Sequence, residues 1–465
     1  MTKDIREYIK DNQENILADI GKVVAVRSVL DEPLPGAPYG TAVRQVQDVA
    51  MDLCREYGFD EVVNLQDRIA YAHYGDRQRF LSVIAHLDVV PEGNGWISNP
   101  FELCLKDGYM VGRGVCDNKG PFILALWAIK YFIDNGIPLN YGLRLIIGLN
   151  EESGMSDIEY YNQHCEQALF TFTPDAEFPV CHGEKGLYMC DVISPAIQDG
   201  SILFIEGGVA HNVVPDLCTA LLGTGCAEGL QRAATGRRDI RLIATEESIR
   251  VEATGIASHA SMPEHSVNAI RVLFRFLLES GVLSEVEQQY IGFLAQSMDQ
   301  YDGSFYGVES DDGLFSPLTL ISGLVSMRDG CIVLNHDCRY PTNISGQEIT
   351  HRITQHCGEH GFTVDHVDFS KPFYIPPDSP PIRLLCDIYN RHAGTDGKPF
   401  VISGGTYARF LDNAVSYGIE VEGVEHPDWV GKVHMKNEAV SVDHAMMSCE
   451  IFIEALLGLQ ELSFD

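Results

Sequence analysis

The chain has 465 residues, 45% of them apolar, with 33 basic against 66 acidic side chains and a formal charge of −33. That length exceeds what one hydrophobic core usually organises, so two domains are expected. So acidic a surface repels phosphate backbones and anionic membranes, which argues against nucleic-acid binding and against a membrane role.

The segment Met1 to Asn12 is charged and amphipathic, with neither a secretory nor a transit pattern. The most apolar helix candidate, Phe122 to Ile133, is interrupted by Lys130 and is too short to span a bilayer. Thirteen cysteines are scattered without paired spacing, and their number is odd, which suits free thiols in a reducing compartment. A cytoplasmic protein is therefore expected.

In chain order, Arg79 to Leu87 predicts a buried strand, Gly120 to Asn135 a helix with apolar positions three and four apart, and Leu143 to Leu149 a second buried strand. Together they predict a right-handed βαβ unit. Ala168 to Thr173 predicts the next strand, which stops at Pro174. From Glu184 to Phe373 the pattern changes. Strand-like stretches at Ile240 to Ala253, Leu318 to Val325 and Cys331 to Arg339 are interspersed with helical patterns at Val267 to Ser280 and Gln347 to His360. That mixture predicts an α+β domain with an antiparallel sheet. The Pro-rich hinge Ile375 to Pro381 returns the chain to helix and strand patterns, and a last helix is expected from His444 to Leu459. The expected fold class is α/β: a mostly parallel sheet domain flanked by helices, formed by residues 1–183 and 378–465, with an α+β domain inserted at 184–377.

Chemistry concentrates at strand ends. His86-Leu87-Asp88 closes the first buried strand, Glu151-Glu152 follows the second, and Asp175 follows the third by two residues. In an open parallel sheet these positions converge on the crevice beyond the C-terminal strand ends. Asp117 sits between them in a glycine-rich loop, Gly112 to Gly120, directly before the helix, where backbone can approach a ligand closely. One His and several carboxylates suit Zn²⁺ or a similar divalent ion. Three acidic ligands are more charge than one ion needs, so a pair of ions sharing a carboxylate fits better. Adjacent Glu151 and Glu152 cannot both address one ion in the same geometry, so one is expected to ligate and the other to handle a proton. Each signal alone reads as a structural pair or a solvated turn; their joint placement after three successive strands carries the argument.

At these residues the chain resembles the zinc metallopeptidase family that includes carnosinase, aminoacylase, glutamate carboxypeptidase and peptidase V. The likeness spans nearly the whole chain. It rests on His86-Leu87-Asp88, the loop Gly112 to Pro121, Glu151-Glu152-Ser153-Gly154, Pro174-Asp175-Ala176 and the approach Asn94 to Phe101. The resemblance implies two zinc ions per chain, with manganese or cobalt as alternatives that the ligand types do not separate. His86 and Asp175 would bind one ion, Glu152 and His434 the other, and Asp117 both. Asp88 would orient His86, and Glu151 would be the general base that activates water. The family usually has a cis peptide after the bridging Asp, often followed by a second Asp; this chain has Asn118 there. His434 lies in Val433-His434-Met435-Lys436-Asn437-Glu438, similar to the family's C-terminal ligand segment, and His444 is expected to be a surface residue of the last helix.

In the inserted domain, Ser258-His259-Ala260 resembles the segment whose His stabilises the tetrahedral intermediate. Asn212 and Arg339 resemble residues that hold the intermediate and the substrate carboxylate, a task that suits the guanidinium fork. Ser403-Gly404-Gly405-Thr406 resembles a glycine loop lining the substrate pocket. The insert is long, as in peptidase V, which implies a lid that supplies His259 from the same chain and a catalytically complete monomer, with a dimer as the alternative. The expected activity is that of a dipeptidase. The alternative within the family is a deacylase of N-acyl amino acids, and a third reading, an inactive metal-binding scaffold, leaves Asp88 and Glu151 without purpose.

Overall fold

A computed structural model describes residues 4–198, 200–260, 262–421 and 423–464. The chain divides into two compact units, one formed by Met1–Gly183, Tyr374–Phe400 and Gly405–Asp465, the other by Glu184–Phe373 and Val401–Gly404. The four residues 401–404, which the sequence pattern leaves with the returning segment, cluster with the second unit.

In the first unit, strands run in the order Glu61–Leu65, Ile69–Tyr74, Gly142–Gly148, Phe80–His86, Phe170–Thr173 and Ala414–Ser416. The last four are mutually parallel; Ile69–Tyr74 joins them antiparallel, and Glu61–Leu65 pairs antiparallel with Ile69–Tyr74. The centre is parallel because its strands are apolar on both faces: every position of Phe80–His86 and of Gly142–Gly148 is buried, as a sheet covered on both sides requires. The helix Lys119–Asn135 links those two strands. Thirteen of its seventeen residues are buried, so it is a core helix rather than an amphipathic surface one. Pro121 is accommodated in its first turn, and Gly136 ends it with a left-handed conformation, φ 58°. The final helix, Val442–Gln460, packs its buried face into the same core through residues such as Phe452 and Leu456.

The second unit is built on an eight-stranded sheet in which every neighbouring pair is antiparallel. Its order is Ile240–Ala244, Ser248–Thr254, Leu217–Gly223, Ile202–Gly207, Thr319–Arg328, Cys331–Tyr340, Gly186–Ile193 and Thr363–Ser370. The stretch expected as one strand from Ile240 to Ala253 is a hairpin. Thr245 and Ser248 close its turn, the Thr245 N–H donating to the Ser248 carbonyl at 2.9 Å. The polar run Thr245-Glu246-Glu247 is what breaks the apolar pattern there. Helices Ala269–Ser280 and Gly346–Glu359 lie where the periodicity predicts; Ala227–Ala234 and Glu285–Gln296 are additional. No helix among the described residues is long and apolar enough to cross a membrane.

Candidate metal centre

The three parallel strands deliver their ends to one cleft of about 190 Å³ in the first unit. Asp117, Glu151, Glu152, Asp175, Gly405, Thr406 and His434 all line it. His86, fully buried, stands against two of these lining residues, with Nε2 2.9 Å from Asp117 Oδ1 and 3.5 Å from Asp175 Oδ1. His434 reaches the same carboxylate from the other side, its Nε2 2.9 Å from Asp117 Oδ2 and 3.1 Å from Glu152 Oε2. The two oxygens of Asp117 therefore face two different imidazoles. Ligands about 2.1 Å from a tetrahedral ion stand about 3.4 Å from one another, so these side chains are close enough to share an ion.

Two overlapping groups have metal-ligand spacing among the described residues: His86, Glu151 and Asp175, and His86, Asp117 and Glu152, with donor atoms within 4.8 Å of one another. The buried His86 Nε2 makes no hydrogen bond despite its short distances. A buried ring nitrogen without a hydrogen bond, aimed at carboxylates, fits a divalent cation in the space between them.

Each of these side chains is fixed by its neighbours. His86 Nδ1 bonds the Asp88 backbone carbonyl at 3.0 Å, which leaves Nε2 for the cleft. The Asp88 carboxylate, 3.4 Å from Nδ1, accepts the backbone N–H groups of Glu151 and Glu152 at 3.2 and 3.1 Å. It thereby caps the short turn Glu151–Ser153 and ties the acidic pair to the histidine strand. Asp157 accepts the N–H groups of Leu149 and Asn150, and Tyr407 donates its hydroxyl to the same carboxylate. The close approach of that ring explains Gly148, where a Cβ would come 2.5 Å from the Tyr407 hydroxyl.

The Asp117–Asn118 peptide is cis. Asn118 donates its amide to the Pro174 carbonyl at 2.7 Å and to Asp175 Oδ1 at 3.1 Å. A carboxylate at position 118 has no proton to give in its ionised form, so the departure to Asn adds a donor that steadies Asp175.

Glu438 is the principal site residue to which the sequence reading gave no role. Fully buried, it accepts the N–H groups of Gly114, Cys116 and Asp117 on Oε1 at 2.9 to 3.2 Å, and Arg113 Nη1 on Oε2 at 2.6 Å. One carboxylate thus shapes the glycine loop and sets Asp117. Its traces in the sequence are its place at the end of the Val433–Glu438 segment and directly before apolar Ala439-Val440. Removing one partner of a buried pair leaves the other charge uncompensated. Glu438→Ala is expected to cost about 3–5 kcal/mol of stability, read as a lower midpoint in denaturant; an unchanged midpoint would exclude this role.

Electrostatically the cleft is crowded with acid. Burial raises Glu151 well above the ordinary carboxylate range, Asp175 adding to it and His86 opposing. Burial with Asp117 nearby lifts Glu152 to about 7. Hydrogen bonds to Asp117 and Glu152 raise half-exposed His434 to about 11 against the opposing effect of burial. Asp117 is lowered although burial opposes it, because the imidazoles of His434 and His86 beside it favour its charged form.

His444 is not a surface residue. Its ring lies partly buried at the start of the last helix, with Nε2 donating to the Ile419 carbonyl at 2.6 Å and its pKa lowered by burial. The helix direction turns that position inward, and His434 alone of the two reaches the acidic cluster.

Within the second unit, Asn212 and His259 are brought together: Val213 pairs with His259, and the Ala260 N–H donates to the Asn212 carbonyl at 2.8 Å. His259 is exposed. Arg339 is 6% exposed, and its fork is engaged by Asp337, Nε to Oδ1 at 2.7 Å and Nη2 to Oδ2 at 3.0 Å. The carboxylate it grips here is therefore internal. Gly404 belongs to this unit, whereas Gly405 and Thr406 belong to the first, where Thr406 caps the turn Tyr407–Phe410 by accepting the Ala408 N–H.

The description of peptidase family M20/M25/M40 matches residues 83–458. The chain belongs to this family. Its M20 membership agrees with sequence relatives: a Bacillus subtilis (strain 168) protein, YtjP, for which dipeptidase activity is proposed, is 28% identical over 96% of this chain and 97% of its own. Two solved structures share the fold. Human carnosine dipeptidase 1 has a TM-score of 0.56 at 15% identity, covering 98% of this chain and 99% of that one. The M20 metallo-carboxypeptidase Sso-CP2 from Sulfolobus solfataricus has 0.58 at 15%, covering 96% and 99%. The M20 fold resemblance read from the sequence, a sheet domain with a parallel centre and a separate antiparallel one, is thus borne out.

Proposed function

We propose that this chain is a metal-dependent dipeptidase that releases the N-terminal residue of a dipeptide, using two divalent ions, zinc being the best match. The observation that carries the reading is Asp117, whose two oxygens face His86 and His434 separately at 2.9 Å. Asp175 would complete the ligands on the His86 side and Glu152 those on the His434 side. Divalent ions held there would supply Lewis-acid polarisation of the scissile carbonyl and lower the pKa of water.

The chain's own groups do the rest. Glu152 contacts His434, whereas Glu151 shares the cleft without that contact, which favours Glu152 as ligand and Glu151 as base. Glu151 would take a proton from water and return it to the leaving amine. Its burial suits this, since a raised carboxylate holds the proton more readily during the transfer. Asp88 keeps Glu151 in place through its backbone. His259, beside Asn212, would donate to the developing oxyanion, and the Gly404-Gly405-Thr406 loop would hold the substrate's carboxylate end; Arg339, whose fork Asp337 engages, would join them only by giving up that ion pair. The chain would act as a complete monomer in the cytoplasm.

The metal-loaded protein, offered dipeptides, tripeptides and N-acyl amino acids, should cleave the dipeptides fastest. Preference for N-acyl amino acids would replace this reading with a deacylase.

Metal uptake should also be pH-dependent. A histidine ligand binds as the neutral ring, yet in the metal-free chain hydrogen bonds to Asp117 and Glu152 raise His434 to about 11, which favours its protonated form. Zinc binding at pH 7 must therefore expel that proton, and affinity should rise from pH 6 to 8.5. Calorimetry in buffers of different ionisation heat counts the protons released. Zero release at pH 7 would mean that the His434 ring is already neutral in the metal-free chain and would overturn this pH dependence.

A further inference from the structure

A dipeptidase must recognise a free α-ammonium, and none of the groups assigned above does so. We propose that Glu420 receives the α-ammonium of the substrate and so selects dipeptides over N-acylated compounds, an inference that rests on the dipeptidase reading above.

Position comes first. Glu420 lines the cleft that Asp117, Glu152, Asp175 and His434 line. It also lines a cavity of about 610 Å³ that shares Cys116, Ile419 and Val433 with that cleft. Glu420 thus stands where the metal centre opens into space large enough for an amino-acid side chain. Its backbone is fixed relative to a candidate ligand: Ile419 and Glu420 pair in parallel register with Ala176 and Glu177, immediately after Asp175. The Phe178 N–H, donating to the Glu420 carbonyl at 2.8 Å, secures the same segment.

Charge comes second. Glu420 is outside both groups with metal-ligand spacing, so ions in those positions leave its charge unspent. The side chains bearing most strongly on it are carboxylates, Asp117, Glu177, Asp175 and Glu438. The larger cavity also presents His426, Lys432 and His444. His444 is turned to the Ile419 carbonyl, and no ion pair joins Glu420 to any of the three among the described residues. A partly buried carboxylate among like charges is completed by a cation with N–H donors.

Substrate chemistry joins the two. The α-nitrogen of a dipeptide is attached to the carbon next to the scissile carbonyl, so it lies within one residue of the metal centre. In an N-acyl compound that nitrogen is a neutral amide, or the acyl carbon itself takes the residue's place. Either leaves Glu420 without its cation, and an unpaired group of this kind is what makes a polar site selective.

The test uses the metal-loaded full chain carrying Glu151→Gln, so that ligands bind without turnover. Calorimetry compares alanylalanine with N-acetyl-alanylalanine, with and without Glu420→Gln. The free dipeptide is expected to bind more tightly, and Glu420→Gln to weaken it by about 10- to 100-fold while the acetylated ligand changes by less than about twofold. In the active chain the same substitution should raise KM for the dipeptide far more than it lowers kcat. Equal loss for both ligands overturns the proposal in favour of a positioning role. Loss confined to dipeptides beginning with Lys or Arg assigns Glu420 to side-chain recognition and also overturns it. A parent chain that cleaves dipeptides while Glu420→Gln keeps full discrimination defeats this inference and leaves the dipeptidase reading standing. A parent chain that binds and cleaves only acylated ligands defeats both.

Discussion

Glu151→Gln is expected to keep both metal ions and to lose about 10²- to 10⁴-fold in kcat, the usual contribution of a positioned general base. Glutamine has the shape of glutamate but no basic oxygen. The backbone N–H of residue 151 still donates to Asp88, so the turn and Glu152 stay in place. Metal content by mass spectrometry and steady-state rates read the two effects separately. Glu151 also lies within ligand range of His86 and Asp175. A variant that loses an ion would therefore make Glu151 a ligand, and one that keeps full activity would remove it from the mechanism.

Asp117→Asn should act on both ions together. An ionised carboxylate offers acceptors to both sides, whereas an amide presents one oxygen and one NH₂. The NH₂ would face either His86 or His434, each now 2.9 Å from an oxygen. The loss in affinity should exceed the about 10- to 100-fold typical of groups that only support a ligand. Occupancy should fall to one ion or fewer per chain, with activity falling in step. Two ions bound with undiminished affinity would rule out a shared carboxylate at this position.

Much of the site was legible because its residues sit at pattern breaks. His86, Glu151 and Asp175 each follow an apolar run, and a polar group beyond a buried parallel strand is displayed at its end. The glycine loop was legible for a similar reason: Gly120 lies so close to the Val115 carbonyl that a Cβ would sit 2.1 Å from it. His434 and His444 were separable only by resemblance, since either could follow from local pattern. The packing of the last helix turned one inward to Ile419 and left the other at the acids.

What stayed hidden were partners distant in sequence. Glu438 and Arg113 are 325 residues apart and meet in the interior; neither carries a local mark of the other. Arg339 looked like a free anion clamp, but alternation along its strand puts Asp337 on the same face, where it occupies the fork. Helices Ala227–Ala234 and Glu285–Gln296 were missed, the first being a short segment of eight residues.

The order of residues alone determined the α/β class, the strands, and which acids and histidines lie at strand ends, because burial imposes a readable period on apolar side chains. Only the tertiary structure decided which oxygen of Asp117 faces which imidazole, that Asp88 carries the Glu151–Glu152 turn, and that Glu438 shapes the loop. Those choices depend on directions and distances between segments far apart along the chain, which no local pattern encodes.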